Sequence, residues 1–208
     1  MNTGENLVDL AVDKIVEEYN PHTIVLYGSR ARGDFTELSD VDIACFCEDK
    51  SELKIATLMN DIYLDLWVYP TSSMNNLSPE TLRFSGGILK LDKFGFGGDY
   101  LQRIKEFEAK GPEKISTSEL EHTKAWLNKM MSRVQSNDIE GNYRRVWLQF
   151  ELLEIYFKFR GLWFSGSKRS FQYLKENDCL GYSLFAKVYK EPESFENLFE
   201  LVRYVTDV

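Results

Sequence analysis

The segment Tyr27-Gly28-Ser29-Arg30-Ala31-Arg32-Gly33, followed by Ser39-Asp40-Val41-Asp42-Ile43, constrains this chain more than any other. The run His22-Thr23-Ile24-Val25-Leu26-Tyr27 is β-branched and apolar and ends on glycine, which predicts a buried strand over 22–27 entering a turn. Gly28 can take a positive φ or let a ligand approach the backbone, and Ser29 adds a hydroxyl donor. A helix starting at Ser29 would aim free amides beyond the strand end, where an anion is favoured. Arg30 and Arg32 bring forked donors that suit phosphate oxygens. The next strand, expected over 41–47, has a period of two, so Asp40 and Asp42 share a face. Two adjacent carboxylates repel unless a cation lies between them, and hard oxygen donors at this spacing suit Mg²⁺ completed by substrate phosphates. An acidic turn ahead of a strand is the plain structural alternative. Gly-Ser followed at fixed offset by Asp-x-Asp arises by chance in well under ~1% of chains this long, so the joint pattern is the informative one.

A third carboxylate follows. In Asp61-Ile62-Tyr63-Leu64-Asp65-Leu66-Trp67-Val68-Tyr69, Ile62, Leu64, Leu66 and Val68 alternate onto one face and Asp65 falls on the other, with Pro70 ending the strand. An acid on a largely apolar strand needs a partner, either a metal or a structural salt bridge. Asp61 lies before the strand core. The forms Gly-Ser-x-Ala-x-Gly and Ser-Asp-x-Asp, with this later acid, resemble the signature of the DNA polymerase β-like nucleotidyltransferase superfamily. The Gly-Ser-Arg-Ala-Arg-Gly version looks most like the minimal nucleotidyltransferases and their antibiotic-modifying relatives. The resemblance covers roughly the first half of the chain. It implies a mixed sheet with flanking helices, two Mg²⁺ ions held by Asp40, Asp42 and Asp65, and an NTP, taken as ATP, gripped at its triphosphate by Gly28 and Ser29 with Arg32 nearby.

Organisation is read from the apolar pattern. Leu7, Leu10, Ala11, Ile15 and Tyr19 recur at helical spacing and Pro21 stops the run, predicting a helix over 5–20. A helix is expected within 51–60. Ile88-Leu89-Lys90-Leu91 and Phe94-Gly95-Phe96 flank Asp92-Lys93 as a candidate hairpin, and a charged helix is expected over 99–110. Gly111-Pro112 is the candidate linker between a domain at 1–110 and a helical domain at 111–208. The expected class is therefore α+β, a mixed-sheet nucleotidyltransferase domain followed by an all-α bundle. Ser116-Thr117-Ser118-Glu119 carries a capping signal for a helix through Val134. The next helix, near Tyr143 to Arg160, has two apolar stripes: Val146, Phe150, Leu153 and Phe157, and Leu148, Leu152, Ile155 and Phe159. Such a helix is central in a bundle. Its polar seam is Trp147, Glu151, Glu154 and Lys158. An i,i+4 ion pair with Lys158 accounts for Glu154, while Glu151 has no local cation. Gly161 ends the helix.

This half resembles the helical domain of kanamycin nucleotidyltransferase-like enzymes. That likeness implies Glu151 as the base that acts on an acceptor hydroxyl. Lys168, after the Gly166-Ser167 turn, is a candidate phosphate contact, or simply an exposed lysine.

Charge and cysteine content narrow the partners. The net charge of −8 lies entirely on residues 1–110, which hold 19 Asp and Glu against 11 Lys and Arg. No basic stripe exists for a long polynucleotide. The acidic charge fits a small cationic acceptor, aminoglycoside-like antibiotics included, or a protein, as in antitoxin-type transferases; a non-enzymatic nucleotide-binding module is the third class. Three sparse cysteines argue for reduced thiols, with Cys45 and Cys47 as buried strand thiols. No apolar run approaches membrane-spanning length, and Met1-Asn2-Thr3-Gly4-Glu5 lacks a basic, then apolar leader, so a cytoplasmic chain is expected. Aromatic content of 14% suits packing in the bundle, and also the lining of a substrate pocket or a dimer face.

Overall fold

A computed structural model describes residues 3–208. Met1 and Asn2, on which the reading of the amino-terminal segment partly rests, lie outside the described residues. The chain divides into two compact units, Met1–Lys110 and Gly111–Val208.

The first unit is a five-stranded mixed sheet with helices. Its elements are α1 (Thr3–Tyr19), β1 (Thr23–Tyr27), α2 (Gly28–Arg32), β2 (Val41–Cys47), β3 (Leu53–Met59), β4 (Ile62–Pro70), β5 (Ile88–Asp92) and α3 (Phe96–Lys110). Two 3-10 turns, Thr71–Asn75 and Pro79–Phe84, join β4 to β5. The strand order is β3-β4-β2-β1-β5, with β2 and β4 parallel and the other neighbours antiparallel. Alternation decides the two faces. Ile24, Leu26, Ile43, Cys45, Leu64, Leu66 and Val68 pack on Leu7, Val8, Ala11 and Ile15 of α1. Each aliphatic side chain buried this way contributes ~1.5–3 kcal/mol. The other face carries Tyr27, Phe46 and Tyr69, which meet Phe84 of the second 3-10 turn; Phe46 and Phe84 also meet Tyr100 of α3.

Two expected elements are corrected. The segment 51–60 is not a helix: it forms β3, paired antiparallel with β4 along its whole length. Ile55 and Met59 pack against the core, and their spacing of four satisfies a helix and a strand equally. The turn decides between them. Asn60 and Asp61 both take positive φ, the conformation that closes a two-residue hairpin. The expected hairpin at 88–96 is likewise absent. Ile88–Asp92 pairs with β1 at the sheet edge, and Phe96 already begins α3. Asp92 accepts hydrogen bonds from the Gly97 and Gly98 amides (3.1 and 2.9 Å), so it caps the helix where the hairpin turn was expected.

The second unit is helical: α4 (Thr117–Val134), α5 (Ile139–Phe159), α6 (Gly166–Asn177), α7 (Cys179–Lys190) and α8 (Phe195–Thr206). Ser116 caps α4 by accepting from the Glu119 amide at 3.2 Å, as its motif predicts. α5 starts four residues earlier than expected because Asp138 caps it, accepting from the Gly141 amide at 2.7 Å. Gly161 ends it at φ 63°. Leu148, Leu152, Ile155 and Phe159 are buried, but the other expected stripe fails at its first half. Val146 and Phe150 are 66% and 76% exposed, whereas Arg145 and Gln149 are 8% and 6% exposed. Arg145 donates to the Glu193 carbonyl and Gln149 to the Pro192 carbonyl (2.6 Å), so a loop backbone supplies polar partners that no helical pattern encodes. Lys158 pairs with Glu119 of α4 at 2.6 Å, not with Glu154 as the i,i+4 spacing suggested. Cys45 and Cys47 are buried free thiols, and Cys179 is exposed and free. No helix among the described residues is long and apolar enough to cross a membrane.

Candidate active site

β1 and β2 are antiparallel neighbours, so the end of β1 meets the start of β2. The register places Tyr27 opposite Asp42, and Asp42 opposite Asp65 on β4. Tyr27, Asp42 and Asp65 therefore form one row across three adjacent strands. Carboxylates in such a row on neighbouring strands are roughly 5 Å apart at the backbone. Asp40 sits one residue ahead of β2, exposed, on the lead-in to the same strand. Arg30 of α2 holds that lead-in by donating to the Ser39 carbonyl (2.7 Å from Nη2) and the Asp40 carbonyl (3.0 Å from Nε). The first arginine of the motif thus positions the acids through their backbone. The second, Arg32, pairs with Asp34 at 3.3 Å.

Gly28 is required twice over. Its φ is +70°, and a Cβ placed there would lie 2.0 Å from Asp42 Oδ2 and 2.7 Å from its Cγ. The carboxylate of Asp42 is therefore seated against the glycine itself, and the turn and the acid form one site. Ser29 follows at the start of α2, half-buried.

The electrostatics bear on what this site can hold. Burial raises the Asp42 pKa above its ordinary 3.8, and the Asp65 and Asp40 carboxylates raise it further; Arg32 and Arg30 oppose this without cancelling it. A half-buried carboxylate crowded by two others is what a divalent cation relieves. Among the described residues no three His, Cys, Asp or Glu side chains are gathered closely enough to cage a metal by themselves. The donor set fits Mg²⁺, an ion that takes one or two carboxylates and completes its shell with water and phosphate oxygens.

Beyond Asp65 the same face of β4 carries Trp67, whose indole N–H donates to Asp65 Oδ2 at 3.3 Å. Arg83, from the second 3-10 turn, lies 4.2 Å over the Trp67 ring and donates to the Tyr69 hydroxyl. Neither residue stood out in the sequence. Trp67 was visible as sharing the Asp65 face, but Arg83 is an isolated arginine in a turn-rich stretch. Glu151 and Lys168 belong to the second unit: Glu151 is half-buried on α5, and Lys168 is exposed in the first turn of α6.

Comparison with known proteins bears on this end of the sheet. Residues 11–78 match the family model described as "Polymerase beta, Nucleotidyltransferase", so this region is similar to nucleotidyltransferase domains of the polymerase β type. The matched span contains Gly28, Ser29, Asp40, Asp42 and Asp65. Among solved structures the chain is similar to a nucleotidyltransferase-like protein from Exiguobacterium sibiricum 255-15, with 15% identity over 96% of this chain and 73% of that one, at a TM-score of 0.48. No curated protein matches the chain.

Proposed function

We propose that this chain moves a nucleoside monophosphate, AMP from ATP, onto a hydroxyl of a small molecule and releases pyrophosphate. The observation that carries this reading is the register of Asp42 against Asp65, with Asp42 seated on Gly28, inside a region similar to polymerase β-type domains. Asp40, Asp42 and Asp65 are assigned as the metal-holding acids. Bound Mg²⁺ would offset the charge of the phosphates and of the departing pyrophosphate. Gly28 and Ser29 are assigned to the triphosphate, the glycine by letting the backbone come close and the serine by its hydroxyl. Arg30 keeps the acid-bearing lead-in docked on α2. Positioning and fixed electrostatics supply most of the acceleration in such a transfer. Arg32 is assigned as a phosphate contact in the first unit; for the second unit, taken by itself, the resemblance supports Glu151 as a base toward an acceptor and Lys168 as a phosphate contact.

The test is pyrophosphate release from ATP, and from the other NTPs, with Mg²⁺ across a panel of hydroxylated small molecules and proteins, followed by mass spectrometry of the acceptor. Asp42→Asn should abolish turnover in a folded protein, and Glu151→Gln should lower kcat more than it raises KM. If Asp42→Asn keeps near-full activity, the assignment of the acids is wrong. If only a protein gains the mass of a nucleotide, the small-molecule reading falls.

A further inference from the structure

A pocket of about 390 Å³ opens on the sheet face beside Asp65, entirely within the first unit. Phe46 and Tyr100 floor it, and Trp67, Tyr69 and Arg83 wall it. We propose that this pocket seats the acceptor, and that it selects a molecule with a ring and an anionic group, a carboxylate or a phosphate, rather than a polycation. This rests on reading Asp42 and Asp65 as the transfer centre.

The argument begins with Arg83. Its guanidinium lies 4.2 Å over Trp67 and 4.9 Å over Phe84, and it donates to the Tyr69 hydroxyl. Its Nε is buried and has no hydrogen-bond partner. No carboxylate among the described residues lies within ion-pair distance of it. Ring faces offset part of a cation's desolvation, but a guanidinium without an anion still has donors to spare. The other charges stand at the solvent rim. Lys54 covers Trp67 at 4.1 Å and pairs with Glu52 at 3.7 Å, while Glu80 accepts from the Ser78 hydroxyl. Of the four charged residues that line the pocket, Glu52, Lys54 and Glu80 are exposed and Arg83 is half-buried, so the charge set deepest is that of Arg83, with Glu80 in its field. An anionic ligand would supply an acceptor to the outward donors of the guanidinium by a charge-assisted bond, and its ring would pack within the aromatic lining of the pocket.

Placement ties the pocket to the reacting end. Trp67 touches Asp65 directly through its indole N–H. Two residues along a strand span ~7 Å. A small ring compound held against Trp67 by Arg83 thus extends a hydroxyl to the acids without bridging open solvent. A polycation would instead meet Arg83 as a like charge.

Isothermal titration of the full chain tests this, with phenyl phosphate and benzoate as the anionic probes and benzylamine as the matched cation, each with and without Mg²⁺ and ATP. Both anions should bind and benzylamine should not. Arg83→Gln should weaken the anions about tenfold or more, the loss of one charge-assisted contact. Ser73→Trp, which fills the pocket from the first 3-10 turn and leaves Arg83 in place, should do the same, with far-UV circular dichroism and melting curves confirming that both variants fold. Equal binding of benzylamine, anion binding unaltered in both variants, or no anion binding overturns the proposal. Displacement of phenyl phosphate by ATP also overturns it, because the pocket would then be the nucleotide's. The two readings fail separately. Anion binding without pyrophosphate release from any acceptor removes the transferase and leaves the pocket. Release driven by a polycation and indifferent to Arg83→Gln removes the pocket's role and leaves the transferase.

Discussion

Replacing Asp42 by Asn should stabilise the metal-free protein, and the size of the effect follows from the sheet register. Asp42 faces Asp65 across a parallel pair, roughly 5 Å away at the backbone. Two unit charges at that separation and an effective dielectric near 20 repel by ~3 kcal/mol, and solvent contact on a half-buried group reduces this to ~1–2 kcal/mol. Burial of the Asp42 carboxylate adds to the penalty, since its pKa stands above the ordinary 3.8. The sign follows. A group whose folded pKa is raised contributes its full stability below the unfolded value and loses it as pH rises through the folded value. The wild type should therefore match Asp42→Asn below about pH 4 and fall behind it as pH rises toward 7. For a unit of about a hundred residues, ~1–2 kcal/mol corresponds to roughly 3–10 °C in Tm. Calorimetry in EDTA at pH 4 and pH 7 measures this. Added Mg²⁺ should then raise the wild-type Tm more than that of Asp42→Asn, because the variant keeps Asp40 and Asp65 but has lost the carboxylate between them that the ion relieves most. A variant that melts at or below the wild type at pH 7, together with an equal Mg²⁺ response in both, would refute the argument that these carboxylates are crowded and metal-seeking.

Two further outcomes are expected. Gly28→Ala places a methyl 2.0 Å from Asp42 Oδ2 at a φ of +70°, so it should rotate that carboxylate away and lower turnover by about 100-fold, with a stability loss of only ~1–2 kcal/mol. Steady-state pyrophosphate release and Tm measured on one preparation check the contrast. In the helical unit, Asp178 caps α7 through the Gly181 amide (3.0 Å) and accepts from the Tyr156 and Tyr204 hydroxyls (both 2.6 Å). Burial works against its ionised form, but these hydrogen bonds outweigh burial and hold its pKa below 3.8, so the stability it gives is present above that value and lost as pH falls through the folded pKa. Asp178→Ala strands two hydroxyls and a helix start, so it should cost ~2–4 kcal/mol, a drop of about 8 °C or more in the transition of that unit at neutral pH.

What the sequence determined by itself was local. The β-branched run into Gly28-Ser29, the Asp40-x-Asp42 spacing and the alternation around Asp65 each lie within a few residues, where period two and turn chemistry fix which side chains share a face. The helical second half follows from the same short-range signals, as do the caps at Ser116 and Gly161, whereas the mixed sheet was implied by the family resemblance. What the tertiary structure decided was every relation between segments distant in the chain. Asp42 meets Asp65 because β4 returns parallel to β2, with its aliphatic face forced onto α1. β3 is a strand because β4 offers it a ladder, although Ile55 and Met59 would also suit a helix. Arg145 and Gln149 are buried because the backbone at 192–193 gives them acceptors, so Val146 and Phe150 turn outward on the same helix. Arg83 reaches Trp67 only because two 3-10 turns fold back over the sheet. The physical reason is common to all four: a side chain's neighbours along the chain follow from backbone geometry, whereas its neighbours across the chain follow from which surfaces can be buried together with their polar groups satisfied.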